Sequence, residues 1–219
     1  MFIAAAPSLM RRSGKTIISL ADTAGTDVLW ISERLMDAVS ESKTPQPVMA
    51  VVKVKEHREE PLISSGSGIF VICHRLQDPG NLGTIIRTSE AVGAAGVAVT
   101  PNTVDPYNPK SVRASMGSIL RMPILRLSDM TSFIGRCRDN GFQIAALAPS
   151  AGRLLFDLNL SSPTCFIFGS EGSGLDEYTA KSADVLVRIP MAGAVDSLNV
   201  SAAAAVVLYE AYRQRGVPR

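Results

Sequence analysis

Residues 165–175, "CFIFGSEGSGL", place one carboxylate, Glu171, among three glycines after an apolar run. A glycine-rich turn that follows a strand commonly cradles phosphate, because its backbone amides point at the anion. The spacing here fits neither phosphate motif. The dinucleotide fingerprint needs G-x-G-x-x-G, and Gly169, Gly172 and Gly174 form G-x-x-G-x-G instead. The P-loop needs Lys-Ser or Lys-Thr after its last glycine, and Leu175 stands there. A carboxylate also repels a pyrophosphate. The stretch suits a neutral or cationic ligand, or it is a tight strand-to-helix turn whose Glu171 caps backbone amides near a helix start.

Two further stretches carry polar residues beside turn chemistry. In "DPGNLGTIIRTSEAVG" (78–93), Asp78-Pro79-Gly80-Asn81 forms a strong turn, and the following helix would bury Leu82, Ile85, Ile86 and Val92 while carrying Arg87. In "IPMAGAVDSLNVS" (189–201), a strand ends at Pro190, a Gly/Ala loop follows, and Ser197 and Asn199 stand at the start of a last helix. N-capping accounts for one of these two polar residues and leaves the other unexplained. Taken singly, an arginine on a helix is a solvated charge, and a serine or asparagine before a helix is a cap.

The elements that position these residues follow from the apolar pattern. From Ile69 onward, strand-length apolar runs at 69–73, 96–100, 123–127, 142–147, 164–169 and 185–190 alternate with helical spacing at 81–94, 108–119, 128–140 and 174–182. A final helix is expected from Asn199 to Arg215, ended by Gly216. Its run Ala202–Ala205 leaves a smooth side for tight packing within the chain or between subunits. Strand alternating with helix predicts an α/β domain on a parallel sheet. Residues 1–60 are more mixed and read as a small N-terminal domain, 61–68 ("PLISSGSG") as a linker, and 69–219 as the main domain.

Composition bounds the reading. The 219 residues are 46% hydrophobic and 19% charged, which suits a folded chain with a substantial core. The net charge of +2 does not announce a nucleic-acid binder, although it leaves room for a local basic patch. Cys73, Cys137 and Cys165 are expected as buried free thiols in a reducing compartment. With only His57 and His74 beside them, no metal site is expected. No apolar run is long enough to span a membrane, and the first residues lack the order of a signal peptide, so a cytoplasmic protein is expected.

The three polar blocks, in this order, resemble the three motifs of the SpoU, or TrmH-type, RNA 2′-O-ribose methyltransferases of the SPOUT class. "DPGNLGTIIRTSEAVGAAGV" resembles motif one, "FIFGSEGSGL" motif two and "IPMAGAVDSLNVSAAAAVVLYEA" motif three. "NPKSVRASMGS" (108–118) also fits the pattern. The match runs from Ile69 to Gln214. The region before it is expected to be a small RNA substrate-binding domain, whole or truncated: it is shorter than the family's usual one, and "SESKTPQPVMAVV" (40–52) resembles that domain's end.

The resemblance implies a C-terminal trefoil knot, a homodimer with the active site near the subunit interface, and S-adenosylmethionine as cofactor. By position, Asn81, Arg87, Glu171, Ser197 and Asn199 match the family's polar catalytic set. Gly169, Ile189 and Leu198 match its cofactor contacts, and Met191 and Leu147 are further candidates for lining that site. Methyl transfer to a ribose hydroxyl needs in-line positioning, loss of the hydroxyl proton and stabilisation of the emerging oxyanion. A guanidinium holds its proton in proteins, so Arg87 suits phosphate binding and oxyanion stabilisation better than proton abstraction. The proton would leave through a phosphate, water or Ser197.

RNA binding needs basic surface. Between Pro106 and Leu127 there are four basic residues, Lys110, Arg113, Arg121 and Arg126, and no acid. Arg11, Arg12 and Lys15 form a smaller cluster. Singly, each is an ordinary surface charge, but as a group beside the recognised blocks Lys110, Arg113, Arg121 and Arg126 are expected to form a phosphate track for RNA. The expected function is methyl transfer to rRNA or tRNA. A non-catalytic RNA-binding protein with the same fold is the alternative, and a nucleotide-dependent Rossmann enzyme is disfavoured by the missing fingerprint.

Overall fold

The computed structural model describes residues 1–219 except 12, 13, 41–43, 65–67, 173, 194 and 217–219. The chain divides into two compact units, Met1–Lys55 and Glu56–Arg219. The division precedes the expected linker. Of that stretch, residues 61–63 complete a helical turn whose Ile63 is buried in the core, and 65–67 lie outside the described residues.

In the first unit, β1 (Phe2–Ala5), α1 (Gly14–Thr23), β2 (Asp27–Trp30), α2 (Glu33–Val39) and β3 (Val48–Val51) follow in order. The strands lie in the order β2-β1-β3, with β2 parallel and β3 antiparallel to β1. The core is small, made by Ala4, Ala6 and Met36. Ser32 caps α2, and the Glu33 carboxylate accepts from the backbone and hydroxyl of Ser8.

The second unit runs α3 (Glu60–Ile63), β4 (Ile69–Cys73), α4 (Pro79–Ala91), β5 (Gly96–Val99), α5 (Pro109–Ala114), β6 (Ile124–Arg126), α6 (Met130–Asp139), β7 (Gln143–Leu147), β8 (Arg153–Leu154), β9 (Thr164–Phe168), α7 (Glu177–Lys181), β10 (Val185–Arg188) and α8 (Val200–Gln214). Among the described residues the strand order is β6-β5-β4-β9-β7-β10-β8, and every pair is parallel. The central strands β4 and β9 are buried along their whole length, as expected when helices cover both faces of a parallel sheet.

Side chains along these strands alternate between two cores. Ile69, Val71, Cys73, Phe166 and Phe168 face α4 and α8, with Leu82, Ile85, Val207 and Leu208 packed against them. Phe70, Ile72, Cys165 and Ile167 face α6, with Phe133, Ile134 and Cys137. The alanine side of α8 serves packing within the chain, since Ala204 is fully buried in the core that α4 shares. All three cysteines are buried and unpaired.

Two expected helices are shorter than their apolar spacing suggests. The 108–119 helix ends at Ala114, because Met116 and Gly117 take left-handed φ values of 49° and 87°, and only a 3₁₀ turn, Ser118–Leu120, follows. The 174–182 helix starts at Glu177, because Ser170 and Gly174 first close a turn on one another. No helix among the described residues is long and apolar enough to cross a membrane.

Candidate active site

The glycine loop leaves β9 at Gly169 and folds back at once. The Ser170 amide donates to the Gly174 carbonyl at 3.1 Å, and the Gly174 amide to the Ser170 carbonyl at 2.9 Å. A β-carbon on Gly169 would lie 2.5 Å from the Gly174 carbonyl oxygen and 2.7 Å from the Leu175 side chain, so the turn closes only around glycine. Asp176 then caps α7, its carboxylate accepting from the Thr179 amide at 2.8 Å.

The fold of this loop carries Glu171 to the start of a different helix. Asp78 caps α4, accepting from the Asn81 amide at 2.8 Å. Glu171 accepts from the amides of Gln77 (3.3 Å) and Asp78 (3.4 Å) and from Asn81 Nδ2 at 3.0 Å. The amide-capping role open to Glu171 is therefore filled, but at the β4–α4 turn rather than on its own following helix. Partial burial pushes the Glu171 carboxyl up, but the bonds from Asn81 and from the backbone amides outweigh it and hold the group below the usual glutamate range.

Asn199 joins the third block to the other two. Its Oδ1 accepts from the amides of Ser201 (2.9 Å) and Ala202 (3.4 Å) as the cap of α8. Its Nδ2 must then point outward, where it donates to Asn81 Oδ1 at 3.0 Å. That leaves Asn81 Nδ2 for Glu171. The helix cap thus sets the direction of the whole relay, Asn199 to Asn81 to Glu171.

Beside the relay lies a cleft of about 580 Å³ at the carboxyl ends of β7, β9 and β10. Leu147, Gly169, Ile189, Met191 and Leu198 line it, together with Glu171, Ser197 and Asn199. Asn81 reaches its edge through Glu171 and Asn199. Arg87 is not among the lining residues. It is exposed on α4, and its side chain makes no ion pair or hydrogen bond with a described residue. Ser197 is also exposed and without a hydrogen-bond partner among the described residues. Sequence reasoning did not single out Val187, Val195 and Asp196, which also line the cleft. Asp196 lies one position before Ser197 in the same loop, so its proximity was a readable signal. A larger hollow, about 820 Å³, borders β6 and α6. Its Arg136 is already paired with Glu59 at 2.7 Å, and none of the five polar residues reaches it. Volume alone does not select the site.

The basic residues divide into two groups. Arg121 is held by both carboxylate oxygens of Glu90, with NH2 at 2.9 Å from Oε2. Arg126 pairs with Asp105 at 2.6 Å and lies 5.7 Å from the Tyr107 ring centroid. Lys110 and Arg113 are exposed on α5 without such partners. Arg11 and Lys15 are exposed on the first unit, and Arg12 lies outside the described residues. Burial holds the Cys73 thiol well above the usual range, with the Glu171 charge adding to it, which removes it as a nucleophile. Among the described residues no group of three or more His, Cys, Asp or Glu could hold a metal ion.

A parallel sheet covered by helices, with loops gathered into one cleft at its carboxyl edge, defines an α/β domain of the ligand-binding type. The chain belongs to the SpoU rRNA Methylase family, whose family model matches residues 68–209. It is 37% identical over 185 residues to an uncharacterized tRNA/rRNA methyltransferase of Synechocystis, covering 84% of this chain and 67% of the relative. It is 32% identical to the 23S rRNA (guanosine(2553)-2′-O)-methyltransferase RlmP of Bacillus subtilis, over 84% of this chain and 72% of that protein. Among solved structures, the SpoU methyltransferase AviRb of Streptomyces viridochromogenes, in complex with the cofactor AdoMet, superposes with a TM-score of 0.86 at 30% identity. That match covers 98% of this chain and 82% of AviRb.

Proposed function

We propose that this protein transfers a methyl group from S-adenosylmethionine (AdoMet) to a ribose 2′-hydroxyl of structured RNA, rRNA or tRNA. The observation that carries the reading is the Glu171–Asn81–Asn199 relay, which joins all three polar blocks at the rim of one cleft. The cleft residues fit the cofactor's chemistry. Leu147, Ile189, Met191 and Leu198 offer apolar walls, and Glu171 and Asp196 offer negative charge that favours a cation. When bound, AdoMet supplies an electrophilic methyl on a positively charged sulfur.

The chain's own residues would do the rest. Ser197, with a free hydroxyl at the cleft, would hydrogen-bond the ribose hydroxyl and pass its proton toward water or phosphate. Asn199 and Asn81 would hold the loops that keep the hydroxyl in line. Arg87 would bind the target phosphate and stabilise the developing oxyanion. Because Arg87 does not line the cleft of its own chain, a homodimer gives it a route to the cleft of a partner. The exposed aromatic face around Tyr209 and Phe156, 53% and 52% exposed, is consistent with such pairing.

The same reading includes the C-terminal knot. It is supported by β10 lying between β7 and β8, two strands that are neighbours in sequence, so the chain must cross back over β7. Free thiols favour a reducing cytoplasm. The first unit would serve RNA binding through Arg11 and Lys15, and the second through Lys110 and Arg113, with Arg121 and Arg126 contributing only where RNA displaces their carboxylate partners.

Titration calorimetry with AdoMet tests the cofactor. Saturable binding, lost when Leu147→Trp fills the cleft, is expected, and absence of binding by the folded protein would refute the reading. Single-turnover methyl transfer by Arg87→Lys tests the fork geometry of the guanidinium. A large loss is expected, and a nearly full rate would remove the bidentate role.

A further inference from the structure

The strand order reverses between β4 and β9, and there the crevice is filled by His74, only 9% exposed. Its backbone amide donates to the Phe168 carbonyl at 2.8 Å, locking it across the two strand ends. Ring Nδ1 lies 3.2 Å from Thr100 Oγ1. Ring Nε2 lies 3.4 Å from Thr179 Oγ1 and 3.6 Å from Asp176 Oδ2, the latter an ion-pair distance rather than a hydrogen bond. The neighbours select the tautomer. The Asp176 carboxylate can only accept, which favours a proton on the Nε2 that faces it, and the Thr100 hydroxyl can then donate to Nδ1 at 3.2 Å, nearer than its other acceptor, the Pro101 carbonyl at 3.4 Å. The remaining ring proton sits on Nε2, facing the Asp176 carboxylate and Thr179.

The next residues are held just as closely. Arg75 takes a left-handed φ of 56°, a conformation that costs a non-glycine residue about 1–2 kcal/mol. Its amide donates to Thr103 Oγ1 at 2.9 Å, and its guanidinium lies 3.4 Å from Asp176. The Gln77 side chain donates to the carbonyls of Arg75 (3.0 Å) and Asn102 (2.6 Å), while its amide donates to Glu171. Residues 74–78 are therefore gripped between 100–103 on one side and 171–179 on the other. Asp176 also caps α7, so its position fixes the far end of the loop that begins at Gly169.

We propose that His74 is a positioning residue: by bridging Thr100 to the Asp176–Thr179 cap of α7, it holds the 169–175 loop where Glu171 reaches Asn81 and the cleft is formed. His74 touches neither the cleft nor any reacting group, and acts only through the loop. Burial lowers its affinity for a second proton, and the Asp176 charge opposes that in part, which favours the neutral, bridging form. The effect on cofactor rests on the methyltransferase reading above, whereas the effect on the loop does not.

Hydrogen exchange of the 169–179 segment in the ligand-free protein, followed by calorimetry with AdoMet, tests it. His74→Leu should speed loop exchange and weaken AdoMet, each by about tenfold, with loss in kcat at saturating cofactor smaller than the loss in affinity. His74→Gln, whose amide nitrogen reaches the place of Nε2, should recover most of both. Asp176→Asn keeps a competent helix cap but turns an amide toward two donors, so it should reproduce the Leu variant even if that variant folds poorly. Native exchange and affinity in both His74→Leu and Asp176→Asn would overturn the proposal, as would a Gln variant no better than Leu at equal melting temperature. If the wild type bound no AdoMet, the methyltransferase reading would fall, and the exchange rates would still decide the role of His74.

Discussion

Between β4 and β9 the carboxyl edge of the sheet is packed with side chains, whereas between β9, β7 and β10 it opens into a cleft of about 580 Å³. In doubly wound α/β sheets, ligands commonly sit where the strand order reverses. Here that point is occupied by His74, Thr100, Thr179 and Asp176, and the opening is displaced toward the β7 side. The two places also differ in material. The closed crevice is built from side chains in hydrogen-bonding and ionic contact. The open cleft is walled largely by loops, with Gly169, Gly172 and Gly174 along one side. In the proposed arrangement the filled crevice acts as a brace, and Glu171 carries its hold to the open cleft through its bonds to the β4–α4 turn.

The largest expected effect comes from breaking the open side alone. Gly169→Ala places a β-carbon 2.5 Å from the Gly174 backbone carbonyl oxygen, which, unlike the nearby Leu175 side chain, cannot swing aside. AdoMet affinity by calorimetry should fall about 100-fold, equivalent to about 2.7 kcal/mol, while the packed crevice keeps its exchange protection. An affinity near wild type would mean that the loop does not shape the cleft.

Cutting the link between the two places should cost less. Glu171→Ala leaves two amides and Asn81 Nδ2 without an acceptor, and the methylation rate should fall about 10- to 100-fold. Glu171→Gln retains one acceptor oxygen and should lie between. If Gln equalled wild type in rate and affinity, the negative charge would be irrelevant and only the bracing would remain. The pH dependence follows from the same contacts. A carboxylate held below its usual range by hydrogen bonds contributes stability that is present above the ordinary glutamate range and lost only as pH falls through the depressed value. Denaturant stability should therefore hold from neutral pH down to the ordinary glutamate range and fall progressively below it, with that fall reduced in Glu171→Gln.

The alternation of apolar runs made the parallel sheet legible, since β4 to β10 each lie within an expected run apart from the two-residue β8. The cap at Asn199 was legible because capping is local chemistry, whereas Asp78 read as part of a turn and is in fact the cap of α4, which starts at Pro79 rather than 81. The relay between them was not legible, because Asn81 and Asn199 are 118 positions apart and meet only after β9 is inserted between β4 and β7. His74 gave no signal either, since a single histidine after an apolar run becomes informative only once its neighbours from β5 and α7 are known. For the same reason, Arg121 and Arg126 read as free charges in a segment lacking acids, yet Glu90 reaches Arg121 from an adjacent helix and Asp105 lies just before that segment.

The smallest expected effect lies on the surface, away from both places. Lys110→Ala with Arg113→Ala should reduce the slope of RNA affinity against log salt by about 2, while Arg121→Ala, already neutralised by Glu90, should change it by less than about 1. An unchanged slope in the double variant would remove α5 from the RNA path.

Ribose methylation is tested by supplying AdoMet carrying a deuterated methyl together with rRNA and tRNA, and locating the label by mass spectrometry of nucleosides and nuclease fragments. Label is expected on a ribose 2′-oxygen at a defined nucleotide, with transfer strongly reduced by Gly169→Ala. Label on a base, or no transfer from a protein that binds both AdoMet and RNA, would contradict it.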